Sequence, residues 1–367
     1  MPKAYTNCRV FNGDKFIEQA AILVKDDLIL DLVSSKDIAS DFEKKDLSGL
    51  TISPAFIDLQ IYGGNGKMFS HELSVESLQA TYEYCKAGGC AYFMITMATN
   101  TIEKFLKGFE VVRDYWKGGG KGLLGLHLEG PYMNPVKRGA HILSCIKTPT
   151  KVEIELLLSK GKDVFKMMTL APEQCDPSLV QLLIKNGVLV SAGHTNATYK
   201  QAMDGFTLGI VMATHLFNAM SALQHREPGM VGAIFNHSSV KCSLVCDGIH
   251  VDYEAIKIAK RQMGERLFYI TDAVTETTTG EYQHLFKGDR YALPDGTLSG
   301  SALTMIQSVK NGIKNAGISL EESLRMATCY PGNLVKEKKI GKIEKGYEAS
   351  FVVFDNDLNI KETITSS

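Results

Sequence analysis

The residues best equipped for chemistry are two histidines and a carboxylate. His194 and His215 stand 21 positions apart, and Glu129 follows the run Gly125-Leu126-His127-Leu128. Two imidazoles and one carboxylate, with a position left open for water, make the ligand set of a catalytic divalent metal site. One ion per chain is expected, Zn²⁺ first, with Fe²⁺, Co²⁺ and Ni²⁺ as alternatives for the same donors. A single histidine at a strand end is more often just hydrogen-bonded; the weight lies in the set. Asp272, in Thr271-Asp272-Ala273, can take a proton from an activated water and return it to a leaving group. His141, in Lys137-Arg138-Gly139-Ala140-His141, can polarise a carbonyl. Arg226 and His250 offer hydrogen-donating groups suited to a phosphate, although Arg226 could equally pair with Glu227. His127 shares a strand face with Glu129 and is expected to hydrogen-bond behind the ligands rather than join them.

Such scattered residues meet only if regular elements bring them together. Eight short apolar runs do so: Ala55–Ile61, Ala91–Met97, Leu123–Leu128, Val164–Leu170, Val188–Ala192, Ile210–His215, Lys241–Cys246 and Arg266–Thr271. Most are followed by a helical stretch. Apolar strands alternating with helices predict a parallel sheet buried on both faces, and eight units predict a (β/α)8 TIM-like barrel with its site at the carboxyl ends of the strands. Glu129, His194, His215, His250 and Asp272 all fall at or just beyond such ends. The chain termini read as short strands joined by turns, among them Tyr5–Phe11, Ala21–Lys25, Leu28–Val33, Thr51–Ile52 and Ser350–Phe354. They predict a small β-sandwich domain of residues 1–53 plus 336–367, appended to a barrel of residues 54–335. Leu303–Ala316 and Leu320–Ala327 read as amphipathic helices.

Composition narrows the classes. The 367 residues are 44% hydrophobic and 22% charged, an ordinary globular balance. The formal net charge of −1 gives no electrostatic reason to expect nucleic acid or an anionic membrane as partner. Eight dispersed cysteines without a CxxC pair, and a polar start at Met1–Cys8, predict a reduced, cytoplasmic protein. No run approaches the roughly 20 apolar residues of a membrane helix. No phosphate-binding glycine motif opens a helix, which argues against a nucleotide.

The motifs together resemble the N-acetylglucosamine-6-phosphate deacetylase family of the amidohydrolase superfamily. The resemblance rests on Ser53-Pro54-Ala55-Phe56-Ile57-Asp58, the Glu129 and His141 segments, Ser191-Ala192-Gly193-His194-Thr195, and His215-Leu216-Phe217-Asn218-Ala219-Met220. It extends to Arg226-Glu227-Pro228-Gly229, Asp247-Gly248-Ile249-His250, Thr271-Asp272-Ala273 and Leu298-Ser299-Gly300-Ser301. It implies removal of acetate from N-acetylglucosamine 6-phosphate, with Glu129, His194 and His215 on the metal, Asp272 as acid and base, and His141 at the carbonyl. Ala140, Asn218, Ala219, Arg226, His250, Leu298, Ser299 and Gly300 would contact the sugar phosphate, Arg226 across the interface of a homodimer. One departure matters. Many superfamily members carry His-x-His after the first strand and bind two metals, whereas these slots hold Gln60 and Tyr62, poor ligands beside imidazole. An amidohydrolase acting on another N-acyl or cyclic amide is one alternative reading. A non-catalytic scaffold is the other, although it would have no need of the four site residues.

Overall fold

The computed structural model describes residues 2–335 and 338–366, so the expected domain boundary at residue 336 lies outside the described residues. The described residues fall into two compact units: those of Met1–Asp58, Tyr84–Tyr92 and Thr304–Ser367, and those of Leu59–Glu83 and Phe93–Leu303.

In the first unit, Lys3–Phe11 lies at the centre of a seven-stranded sheet with Phe16–Lys25, Leu28–Ser34, Glu43–Asp46, Thr51–Pro54, Phe351–Phe354 and Ile360–Ile364. Both ends of the chain therefore share one sheet: Phe351–Phe354 runs antiparallel to Thr51–Pro54. Its apolar residues enclose a core of Tyr5, Val10, Ile22, Ile52, Phe351 and Val353, and the Tyr5 and Phe351 rings meet edge-on at 5.4 Å. Two strands went unforeseen. Glu43–Asp46 reads Glu-Lys-Lys-Asp, with no apolar period to betray it; it pairs in parallel with the start of the central strand. Ile360–Ile364 is a mostly half-buried strand, with only two isoleucines as signal.

The second sheet is the barrel. Its eight strands are Phe56–Ile61, Cys90–Ala98, Leu123–Glu129, Phe165–Leu170, Leu189–Ala192, Met212–Ala213, Lys241–Val245 and Leu267–Ile270, each beside its predecessor. Every residue of Cys90–Ala98 and Leu123–Glu129 is buried, as a parallel sheet covered on both faces requires. Ile61 bridges Ala273 in parallel. The Tyr62 amide donates to the Ala273 carbonyl, and the Asp272 amide to the Gln60 carbonyl, each at 3.0 Å. These bonds close the first strand onto the eighth.

The helices follow from local signals. Thr101 caps Ile102–Lys117, accepting from the Lys104 amide. The buried face of that helix carries Phe105, Phe109 and Val112, spaced as one helical stripe, and Phe109 meets Phe165 of the fourth strand at 5.9 Å. Each such fully buried side chain is worth about 1.5–3 kcal/mol.

The sixth strand is shorter than predicted, Met212–Ala213 rather than Ile210–His215. The preceding helix, Tyr199–Leu208, stops at a left-handed Gly209, and the Ile210 amide is taken up by the Gly205 carbonyl of its last turn, so Ile210 belongs to the helix stop rather than to the strand. At the other end, His215 adopts φ 42, which no strand tolerates. Short strands Leu285–Phe286, Arg290–Ala292 and Leu298–Ser301 form a small antiparallel sheet after the eighth barrel strand, which the sequence periodicity did not announce. All eight cysteines are free, and all but Cys145 are buried. No described helix is long and apolar enough to cross a membrane.

Candidate active site

Glu129 is the last residue of the third barrel strand. The next residue must be glycine: Gly130 has φ +90, and a Cβ there would lie 2.1 Å from Thr99 Oγ1. His194, His215 and Asp272 share a different peculiarity, left-handed backbones with φ 47, 42 and 55. Such a conformation costs a non-glycine residue about 1–2 kcal/mol. Surrounding bonds hold it in place. The Gly193 amide donates to the Leu170 carbonyl at 3.0 Å and the Thr195 amide to Ala219 at 3.0 Å. Ser243 Oγ accepts from the His215 amide at 2.8 Å. The Ser301 amide donates to the Asp272 carbonyl at 3.0 Å. Strain concentrated at three residues of one cleft marks a functional site.

The side chains converge. His215 Nε2 lies 3.0 Å from His194 Nε2 and 3.2 Å from Glu129 Oε1, and His194 Nε2 lies 3.5 Å from the same oxygen. Donors about 2.0–2.1 Å from one tetrahedral ion would stand roughly 3.3 Å apart, so these separations suit a shared cation. Distance alone also admits His141, since Glu129, His141 and His194 offer donor atoms within 4.8 Å of one another. Hydrogen bonding separates the two histidines. His194 Nδ1 donates to the Lys137 carbonyl at 2.9 Å, which leaves Nε2 bare, as a metal ligand needs. His141 Nδ1 instead accepts from the Thr99 amide at 3.2 Å. The neutral ring then carries its proton on Nε2, 3.3 Å from Glu129 Oε2, and is a hydrogen-bond donor rather than a ligand. It is buried, not a solvated loop histidine.

The electrostatics follow from burial. Burial raises the Asp272 carboxyl, reinforced by Glu129 and opposed by the pull of His215. Burial also pushes His194 down to about 4. For Glu129, burial is overcome by the His141, His194 and His215 rings gathered around it, and its carboxyl stays well below the usual range. For His215, burial pulls down most strongly, but the bond to Glu129 and the charges of Glu129 and Asp272 together outweigh it, and the ring is raised.

Gln60 and Tyr62 complete the wall. Gln60 Nε2 donates to Asp272 Oδ1 at 2.7 Å and Glu129 Oε1 at 3.1 Å. The Tyr62 hydroxyl donates to Glu129 Oε2. Burial, then the neighbouring Glu129, pushes this phenol well above its ordinary range, so it remains a donor. His127 lies beneath, away from the ligands. Its Nε2 meets Thr169 Oγ1 at 2.8 Å and its Nδ1 meets Thr96 at 3.3 Å. Thr169 and Ser191 both bond Thr214, at 2.8 and 2.5 Å, so a polar chain crosses the barrel below the site.

The remaining candidates lie on loops. His250 Nδ1 donates to Asp247 Oδ2 at 2.5 Å, while Asp247 Oδ1 accepts the Ile249 and His250 amides. Asn218 donates to the Leu216 carbonyl at 3.2 Å. Ala140, His141 and Ser299 line one pocket with Tyr62, Met68 and Tyr282, and Ser299 Oγ bonds His284 Nδ1 at 2.9 Å. Arg226 is exposed; it does not pair with Glu227, whose carboxylate instead caps the Tyr199 and Gly229 amides. Sequence reasoning missed Thr99, which orients His141, and Glu173. The latter accepts from Thr195 Oγ1 at 2.5 Å and the Asn196 amide at 2.7 Å, clamping the His194 loop.

Comparison with known proteins agrees with this arrangement. A model of the amidohydrolase family matches residues 51–367, and one of the NagA composite domain matches residues 4–52. The N-acetylglucosamine-6-phosphate deacetylase of Haemophilus influenzae is 31% identical, covering 100% of this chain and 98% of the relative. The human deacetylase is 32% identical over 99% of this chain and 94% of the relative. The N-acetylgalactosamine-6-phosphate deacetylase of a Shewanella strain is 31% identical over 96% of this chain and 92% of the relative. The crystal structure of the Pasteurella multocida N-acetylglucosamine-6-phosphate deacetylase superposes with a TM-score of 0.95 at 31% identity, covering 100% and 99% of the two chains. The chain belongs to the amidohydrolase family and, within it, to the N-acetylglucosamine-6-phosphate deacetylases.

Proposed function

We propose that the protein hydrolyses the acetamido group of N-acetylglucosamine 6-phosphate to glucosamine 6-phosphate and acetate. The observation that carries this reading is the meeting of Glu129 Oε1 with the Nε2 atoms of His194 and His215, flanked by a donating His141 and a half-buried Asp272. In this reading those three residues hold one divalent ion, Zn²⁺ first, which would acidify a water from pKa ~15.7 towards ~7 and polarise the acetyl carbonyl.

The chain's own residues do the rest. Asp272 takes the proton as the water oxygen attacks the carbonyl carbon. His141 Nε2–H donates to the carbonyl oxygen as it gains negative charge. Asp272 then returns the proton to nitrogen as the C–N bond breaks, so the amine leaves neutral. Arg226 and His250 hold the phosphate, spending binding energy away from the reacting bond to place the acetamido group. Asp247 supports this role for His250 by fixing its ring. Ala140, Asn218, Ala219 and the Leu298-Ser299-Gly300 segment complete the sugar-phosphate site.

The active form in this reading is a cytoplasmic homodimer. Arg226, exposed and without an ion pair or hydrogen bond among the described residues, serves the partner's site. The deciding experiment is acetate release, compared as kcat/KM among N-acetylglucosamine 6-phosphate, its galactosamine epimer and unphosphorylated N-acetylglucosamine. The first should be the best substrate. A higher value for the epimer would reassign the substrate, and no release from any would refute the reading.

A further inference from the structure

We propose that Tyr62 is a positioning residue: its phenol, with the Gln60 amide, fills the place of a second cation and fixes the Glu129 carboxylate so that Oε1 alone faces the ion. This rests on the reading that Glu129, His194 and His215 hold one ion.

The two oxygens of Glu129 have different neighbours. Oε1 faces His215 Nε2 at 3.2 Å and His194 Nε2 at 3.5 Å. Oε2 accepts from the Tyr62 hydroxyl and lies 3.3 Å from His141 Nε2. Gln60 Nε2 spans the seam, within 3.0 Å of the Tyr62 hydroxyl and 2.7 Å of Asp272 Oδ1. Gln60, Tyr62 and Glu129 are all buried. The Tyr62 backbone is anchored by bonds to the Ala273 carbonyl and from the Phe69 amide, each at 3.0 Å, and its ring packs with Met68, Ala98 and Val274. With Oε2 held by the Tyr62 hydroxyl and Oε1 steadied by Gln60 Nε2 at 3.1 Å, turning Oε2 towards the ligand histidines would break the phenol's bond. The phenol holds Oε2 without adding charge, and partners behind a ligand typically govern metal affinity 10–100-fold.

The test uses the full-length protein stripped of metal, with Zn²⁺ as the only probe. Affinity is read by chelator competition and stoichiometry by elemental analysis. Wild type should bind one ion. Tyr62→Phe should still bind one, 10–100-fold more weakly, and the metal-induced rise in Tm at fixed Zn²⁺ should shrink accordingly. That rise is measured against the stripped variant, so a general loss of stability does not move it. Gln60→His with Tyr62→His should bind two ions, a readout that stands if Tyr62→Phe does not fold. Unchanged affinity in Tyr62→Phe, or one ion in the double variant, overturns the proposal and leaves the metal reading intact. A wild type that binds no ion overturns the metal reading itself.

Discussion

Asp272→Asn is the sharpest perturbation of the chemistry, because it removes little else. Asparagine has the same shape and tolerates the left-handed φ of 55 found at this position. Its Oδ1 can still accept from Gln60 Nε2, now 2.7 Å from Asp272 Oδ1. The backbone bonds to Gln60 and Ser301 are untouched. What disappears is a group able to take and return a proton. General acid–base catalysis contributes about 10²–10⁴-fold, which at 1.36 kcal/mol per decade is roughly 3–5 kcal/mol of barrier. The assay is acetate release at saturating substrate, with zinc per chain measured on the same sample. We expect kcat to fall by that factor with metal content near wild type. The acid limb of the wild-type profile should also sit above the usual carboxylate value of ~3.9, since burial raises this carboxyl; activity is lost as pH falls and Asp272 becomes protonated. Turnover within a few-fold of wild type, with the metal retained, would remove Asp272 from the mechanism.

Three further outcomes follow. Arg226→Ala should raise KM for the phosphorylated substrate at least tenfold and leave the slow turnover of unphosphorylated N-acetylglucosamine unchanged; equal losses on both would refute the phosphate role. Glu173→Gln replaces the carboxylate that clamps Thr195 and Asn196. Hydrogen bonds to a charged group are worth about 1.5–3 kcal/mol each, so zinc affinity should weaken along with stability in denaturant titration, and an unchanged affinity would uncouple the clamp from His194. His284 is pushed down to about 4 by burial, while an unfolded histidine titrates near ~6.5. Below ~6.5 the unfolded chain therefore binds the extra proton, and stability falls with pH until about 4, by about 3 kcal/mol for this residue. Melting curves of metal-stripped protein between pH 7 and 4.5 should show a smaller decline in His284→Asn than in wild type.

Much of the architecture was legible because the signal was of the kind periodicity carries. Cys90–Ala98 and Leu123–Glu129 are unbroken buried runs, and such runs stand out in a chain with 22% charge. Glu43–Asp46 did not, because an edge strand of charged residues owes its conformation to the neighbour it pairs with. The sixth barrel strand was over-extended because Ile210 and Val211 are apolar and β-branched, while what ended the strand was the backbone turn at His215. Glu129, His194, His215 and Asp272 were found by residue type and position, and the structure brings them into one cleft. Hydrogen-bond direction decides which histidine can serve as a ligand. It depends on Lys137 and Thr99, backbone partners that no spacing reveals. The same holds for Tyr62, whose donation to Glu129 joins two residues 67 positions apart that only the folded barrel brings together.

The most direct measurement is a crystal structure of the zinc-loaded protein, with anomalous diffraction recorded on either side of the zinc edge. One strong peak among Glu129 Oε1, His194 Nε2 and His215 Nε2, beside Asp272 and clear of His127, is the predicted result. A peak elsewhere, or none at these atoms under zinc-replete conditions, would contradict the account.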